Sequence, residues 1–247
     1  MTAESFTRAA YATLLSNLLE RGYRGCSFPE ALPDRRDLLL RHDIDIWPRA
    51  ALALAEIEWE QGLAADYFFL MHSPLYETGA PDTCAVIEIL LSLGHRIGLH
   101  FDTARYADDL ATQEREAARE CAALETLTGQ PIKLISFHRP AKSLLGYHGP
   151  IAGRAHAYQP RYFTEIGYCS DSRGQWRYGH PLTQESVIAG RALQLLTHPI
   201  WWESDCAGDR EAALARVVEA RGNAIKPALA ETITGYCPET GRILETD

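Results

Sequence analysis

Four apolar runs along the chain each stop at a histidine or an aspartate. They are Leu38-Leu39-Leu40-Arg41-His42-Asp43-Ile44-Asp45, Arg96-Ile97-Gly98-Leu99-His100-Phe101-Asp102, Ile132-Lys133-Leu134-Ile135-Ser136-Phe137-His138-Arg139-Pro140 and Leu193-Gln194-Leu195-Leu196-Thr197-His198-Pro199. Short, nearly continuous apolar runs predict buried strands, and Ala65-Asp66-Tyr67-Phe68-Phe69-Leu70 predicts one more. In a parallel sheet, the terminal polar residues of such strands emerge together at one edge, where α/β folds carry their chemistry.

Helical spacing separates these strands. Phe6, Ala9, Ala10, Thr13, Leu14, Leu18 and Leu19 predict an N-terminal helix, opened by Thr2 ahead of Glu4 and closed near Gly22. Further helices are expected over residues 48–61, 82–93 and 109–128, stopped by Gly62, Gly94 and Gly129. His95, directly after Gly94, reads as a turn or capping residue. Residues 141–180 mix glycine and proline with aromatics and predict a long, partly structured loop over the chemical edge, holding one strand near 162–170. A last helix is expected over 209–221.

Regular alternation of strand and helix predicts an α/β fold with parallel pairing. A single domain is expected over 1–247, with a helix and lead-in over 1–36, a motif-bearing core over 37–202 and a C-terminal helix and tail over 203–247.

Composition narrows the function. The 247 residues are 46% hydrophobic and 23% charged, as in globular chains. A net charge of −9, with no basic run longer than Arg35-Arg36, argues against nucleic acid as a partner. Six scattered cysteines form no Cys-x-x-Cys pair, which fits reduced thiols in a cytoplasm. The N-terminus lacks a basic-then-apolar pattern and no apolar stretch is long enough to span a membrane, so a cytoplasmic protein is expected.

Asp43 and Asp45 lie two apart, so in an extended strand they face one side. One carboxylate could bind a divalent cation while the other stays free as a general base. His100 and Asp102 repeat that spacing at another strand end.

In order and spacing, Leu40-Arg41-His42-Asp43-Ile44-Asp45, Ala65-Asp66-Tyr67-Phe68-Phe69-Leu70, Gly94-His95-Arg96-Ile97-Gly98-Leu99-His100, Phe137-His138-Arg139-Pro140 and Leu196-Thr197-His198-Pro199 together resemble the motifs of polysaccharide deacetylases, the NodB-type carbohydrate esterases of family four. The resemblance spans about Asp37 to Trp202. It is nearest to a divergent branch associated with bacterial surface-polysaccharide (O-antigen) biosynthesis, for which Ser170-Asp171-Ser172 and Trp176 also look typical.

The resemblance implies a distorted (β/α) barrel with a divalent metal, usually zinc, that removes an acetyl group from an acetylated carbohydrate. It implies Asp43 as catalytic base, Asp45 and His100 as metal ligands and His198 as general acid. The family's second metal histidine would fall at Ala104, which cannot ligate, and its arginine-x-proline motif is here His138-Arg139-Pro140.

Zinc at a catalytic site takes three protein ligands, so His138 is the first substitute and Asp102 the second. Arg139 is expected to orient Asp43 or to bind a substrate carboxylate or phosphate. Trp201, Trp202, Tyr158 and Trp176 are the residues expected to stack on sugar faces. Two other functions fit parts of the pattern. One is a non-catalytic carbohydrate-binding barrel that has lost its metal, suggested by Ala104. The other is a metal-dependent glycosyltransferase, suggested by Asp43-Ile44-Asp45 but disfavoured by the short lead before it.

Overall fold

A computed structural model describes residues 6–204 and 210–244. Helix α1 (Arg8–Glu20) comes first, then β1 (Arg24–Gly25), β2 (Asp37–Ile44), α2 (Ala51–Glu60), β3 (Asp66–Phe69), α3 (Pro81–Ser92), β4 (Arg96–Asp102), α4 (Leu110–Thr128) and β5 (Leu134–His138). Short elements follow: β6 (Ala155–His156), α5 (Pro160–Phe163), β7 (Gly167–Ser170), α6 (Glu185–Ile188) and β8 (Leu193–Thr197).

All eight strands pair in parallel, in the order β6-β5-β4-β3-β2-β8-β7, with β1 also beside β2. This is the expected α/β architecture, an incomplete barrel whose edges, β6 and β7, are not paired with each other among the described residues. The described residues 210–244 form a separate compact unit, holding α7 (Arg210–Thr232) and an antiparallel pair, β9 (Tyr236–Cys237) and β10 (Arg242–Ile243). No helix among the described residues is long and apolar enough to cross a membrane.

Differences from the sequence expectations are local. Helix α1 is capped by the Thr7 side chain, which accepts from Ala10 N–H, while the expected opening at Thr2 and Glu4, the start of the last helix at 209 and Cys206 lie outside the described residues. Gly129 takes the left-handed conformation that ends α4, as expected. In the long loop, Pro160 starts a helical turn, so the expected strand shortens to β7.

The period of two along each strand sorts residues to two faces. Leu38, Leu40, Tyr67, Phe69, Leu99, Ile135, Leu193 and Leu195 pack in the larger core with helices α1 to α4. Leu39, Phe68 and Leu134 point the other way, into a smaller inner cluster with Phe28, Ala157 and Tyr162. Gly98 faces that interior too, where an added Cβ would lie 2.5 Å from the Phe68 ring.

Polar groups are buried in the helix-side layer as well. The Glu58 carboxylate on α2 has no solvent exposure and accepts from Tyr11 Oη (2.5 Å), His42 Nε2 (2.6 Å) and Tyr67 Oη (2.7 Å). Burial alone would raise the pKa of Glu58, but the neighbouring His42 and the donors around it hold it below the usual carboxylate value. His42 Nδ1 meets Thr197 Oγ1 at 2.7 Å, which extends the network to β8.

His95 caps α3 as expected, its backbone N–H donating to the Leu90 carbonyl at 3.0 Å, and its ring is buried in this layer. Its Nδ1 accepts from Ala65 N–H (3.1 Å), so its proton sits on Nε2 and is given to the Ala55 carbonyl (3.1 Å). Burial pushes its pKa down, in keeping with a neutral ring.

Replacing Glu58 by alanine strands two buried phenols and an imidazole, and is expected to cost about 3–5 kcal/mol in chemical denaturation. Glu120 on α4 predicts the opposite sign. It is buried beside Tyr106, whose hydroxyl donates to it at 2.7 Å, and burial pushes its pKa up to about 7 from 4.5. The folded protein therefore binds this proton more tightly than the unfolded chain, and stability falls as pH climbs from 4.5 towards 7. Glu120→Gln is expected to gain roughly 1–2 kcal/mol at pH 8 and nothing near pH 4.5, measured by urea unfolding at both values.

Candidate active site

Arg41 and Asp43 share the inner face of β2, and Asp45 follows at its carboxyl end. Arg41 is fully buried, and its guanidinium forks onto Asp43, with Nε to Oδ1 at 2.9 Å and Nη2 to Oδ2 at 2.8 Å. Nη1 donates to Gln194 Oε1 (3.1 Å) on β8, and the Tyr158 ring lies 4.9 Å from Cζ. Burial acts to raise the Asp43 pKa, but the charge and hydrogen bonds of Arg41, together with His100 and His198, hold the carboxyl below its ordinary value.

Arg139, expected to orient Asp43 or to bind a substrate carboxylate or phosphate, does not meet Asp43 and forms a two-point ion pair with Asp102. The reason is positional. Asp102 and His138 are register partners at the ends of β4 and β5, so the residue after His138 meets Asp102, whereas Arg41 reaches Asp43 from two places back on the same strand. Arg139 keeps a φ of 51°, and its carbonyl accepts from Thr103 Oγ1 at 2.6 Å.

Asp45, His100 and His138 come together, with ligand-type atoms all within 4.8 Å of one another. Asp45 Oδ1 lies 3.0 Å from His100 Nε2 and 3.4 Å from His138 Nδ1. It is nonetheless buried with no hydrogen-bond partner, because neither contact has the alignment of an N–H···O bond. Asp102, the second choice as a ligand, is occupied by Arg139, and Ala104 sits exposed in the turn after β4.

His198 approaches from the end of β8. Its Nδ1 donates to Asp171 Oδ1 (2.6 Å), its backbone N–H reaches both Asp171 oxygens (3.0 Å), and Trp202 Nε1 donates to Oδ2 (2.6 Å). That leaves His198 Nε2 turned towards Asp45 Oδ2, at 3.6 Å. Burial acts to lower the His198 pKa, but the Asp171 carboxylate, with Asp45 and Asp43 behind it, lifts it to about 9.

The expected sugar-stacking aromatics divide. Trp202 is 3% exposed and serves Asp171, which corrects its expected role, because a buried indole has no face to offer a sugar. Trp176 packs on Trp202 and Phe6 at centroid distances of 5.8 and 5.7 Å. Tyr158, partly buried, stacks on Phe137 and flanks Arg41. Trp201 is partly buried, and its indole N–H has no partner among the described residues.

Three residues of the site were given no role by the sequence reading. Arg41 carried a signal in its period-two spacing to Asp43. Asp171 lay in the quoted Ser170-Asp171-Ser172. Ser136, whose hydroxyl touches both His100 and Asp43, carried none beyond its place on a strand that ends in a histidine.

No family model matches this sequence, and no curated protein matches it. Among solved structures, the chain is similar to the deacetylase PplD of Streptococcus pyogenes in complex with acetate, at 14% identity and a TM-score of 0.45, over 80% of this chain and 86% of that one. A family 4 carbohydrate esterase from Bacillus anthracis is similar at 15% identity and a TM-score of 0.42, over 85% and 86% of the two chains. A family 4 acetyl xylan esterase from Clostridium thermocellum, in complex with a cobalt ion, is similar at 14% identity and a TM-score of 0.40, over 83% and 96%. These are distant likenesses.

Proposed function

We propose that this chain is a metal-dependent hydrolase that removes an acetyl group from an acetylated carbohydrate. Asp45, His100 and His138 hold the ion, Asp43 is the base and His198 the acid. The observation that carries this reading is Asp45 Oδ1, buried without a hydrogen bond while two imidazole nitrogens lie 3.0 and 3.4 Å away. A buried carboxylate oxygen with no partner is costly, and a divalent cation answers the oxygen and both nitrogens together.

One carboxylate and two imidazoles suit zinc, which at catalytic sites takes three protein ligands and keeps a position open. The motif resemblance supports the acetylated sugar, as a precursor of a surface polysaccharide. The bound ion would supply polarisation of the acetyl carbonyl and a lower pKa for the attacking water.

The chain's own residues move the protons. Asp43, ionised under the Arg41 fork, takes a proton from the water as its oxygen bonds to the acetyl carbon. The bond from that carbon to the sugar nitrogen or oxygen then breaks, and His198 Nε2 gives its proton to the departing atom. Asp171 fixes the ring by accepting from Nδ1, so Nε2 is the nitrogen presented. Acetate and an amine or hydroxyl result.

Elemental analysis of purified protein is expected to find about one equivalent of divalent metal in wild type and in Asp102→Ala, and none in Asp45→Ala or His138→Ala. Metal retained by the last two variants would sink the ligand assignment. Asp43→Asn is expected to keep the metal while acetate release from N-acetylglucosamine oligosaccharides falls by about a hundredfold or more. Asp171→Asn is expected to lower kcat by roughly a hundredfold at unchanged metal content, and an unaltered kcat would remove Asp171 from the mechanism.

A further inference from the structure

We propose that Ser136 is a positioning residue that joins the metal ligand His100 to the base Asp43 and fixes which imidazole nitrogen faces the metal position. The inference rests on the metal reading above and adds to it a residue and a hydrogen-bond direction. Ser136 is wholly buried on β5, register partner of His100 on β4. Its hydroxyl lies 2.6 Å from His100 Nδ1 and 3.2 Å from Asp43 Oδ1.

A hydroxyl has one proton, so it donates to only one of these neighbours, and the chemistry at the two ends decides which. Both oxygens of Asp43 already accept from the Arg41 fork, which makes Asp43 a carboxylate that can only accept. Ser136 therefore donates to Asp43 Oδ1. Its oxygen must then accept from His100, which puts the His100 proton on Nδ1. Nε2 is left with its lone pair, facing Asp45 Oδ1 at 3.0 Å. Two lone pairs at that separation repel unless a cation lies between them, so the serine holds His100 in the tautomer that a metal ligand requires.

The same bond distinguishes the two oxygens of Asp43. Oδ1 accepts from both Arg41 Nε and Ser136, whereas Oδ2 accepts from Arg41 Nη2 and lies 3.7 Å from His100 Nε2. Oδ2 is thus the oxygen on the ligand side and the one that takes the proton. One buried hydroxyl aligns the ligand and the base together.

The test is zinc affinity by competition with a chromogenic chelator, alongside nitrogen-15 spectra of the histidine rings in zinc-loaded protein. Wild type is expected to carry the His100 proton on Nδ1. Ser136→Ala is expected to bind zinc about ten- to a hundredfold more weakly and to lose the protected Nδ1–H signal, with Ser136→Thr restoring affinity to within roughly threefold. Should the added methyl of Ser136→Thr not fit, the affinity and spectrum of Ser136→Ala decide alone. Wild-type affinity and an unchanged His100 signal in Ser136→Ala would overturn the role of Ser136 and leave the metal site standing. Failure of wild type to take up zinc would overturn the metal reading, and this inference with it.

Discussion

The fold turns on one buried carboxylate. Glu58 stands on α2, yet its donors come from α1, β2 and β3, and through His42 the network reaches Thr197 on β8. A carboxylate away from water tolerates no idle oxygen, so each of these elements must reach its place before the charge is satisfied. His42 and Thr197 are register partners, and each immediately precedes a residue of the site, Asp43 and His198. Because successive side chains on a strand point to opposite faces, bonds made on the helix side fix the backbone from which Asp43 and His198 project inward.

The inner face carries its own internal compensation. Alanine at 104 removes a ligand expected from the motif pattern, and the imidazole of His138 comes to Asp45 from the next strand instead. His138 stands where the family motif has its arginine, and the guanidinium that meets Asp43 is that of Arg41, inside β2. Arg139, one place further on, is engaged by Asp102 at the rim. The second imidazole beside Asp45 and the guanidinium on Asp43 thus come from strands other than those the motif resemblance implies.

Much of this was legible in the residues. Apolar runs ending on Asp43, Asp45, His100, His138 and His198 located the strand ends, and alternation with helices gave the parallel sheet. Residue pairing across strands was not legible. Arg139 and Arg41 are equally plausible partners for Asp43 until the β4–β5 register brings Asp102 beside His138. Ser136 was invisible for the same reason, since its meaning comes from lying opposite His100. Trp202 misled because an aromatic near a histidine at a strand end reads alike whether it faces solvent or, as here, a buried Asp171.

The inner cluster of Leu39, Phe68, Leu134 and Tyr162, roofed by the wholly buried Arg41 and Gln194, gives the half-barrel a solid floor. Gln194 strengthens it by donating to the carbonyls of Ala157 and Tyr162. With Arg41 wholly buried against this floor, its charge on Asp43 is sheltered from dissolved ions, so the pair holds at salt concentrations that would screen an ion pair on the surface.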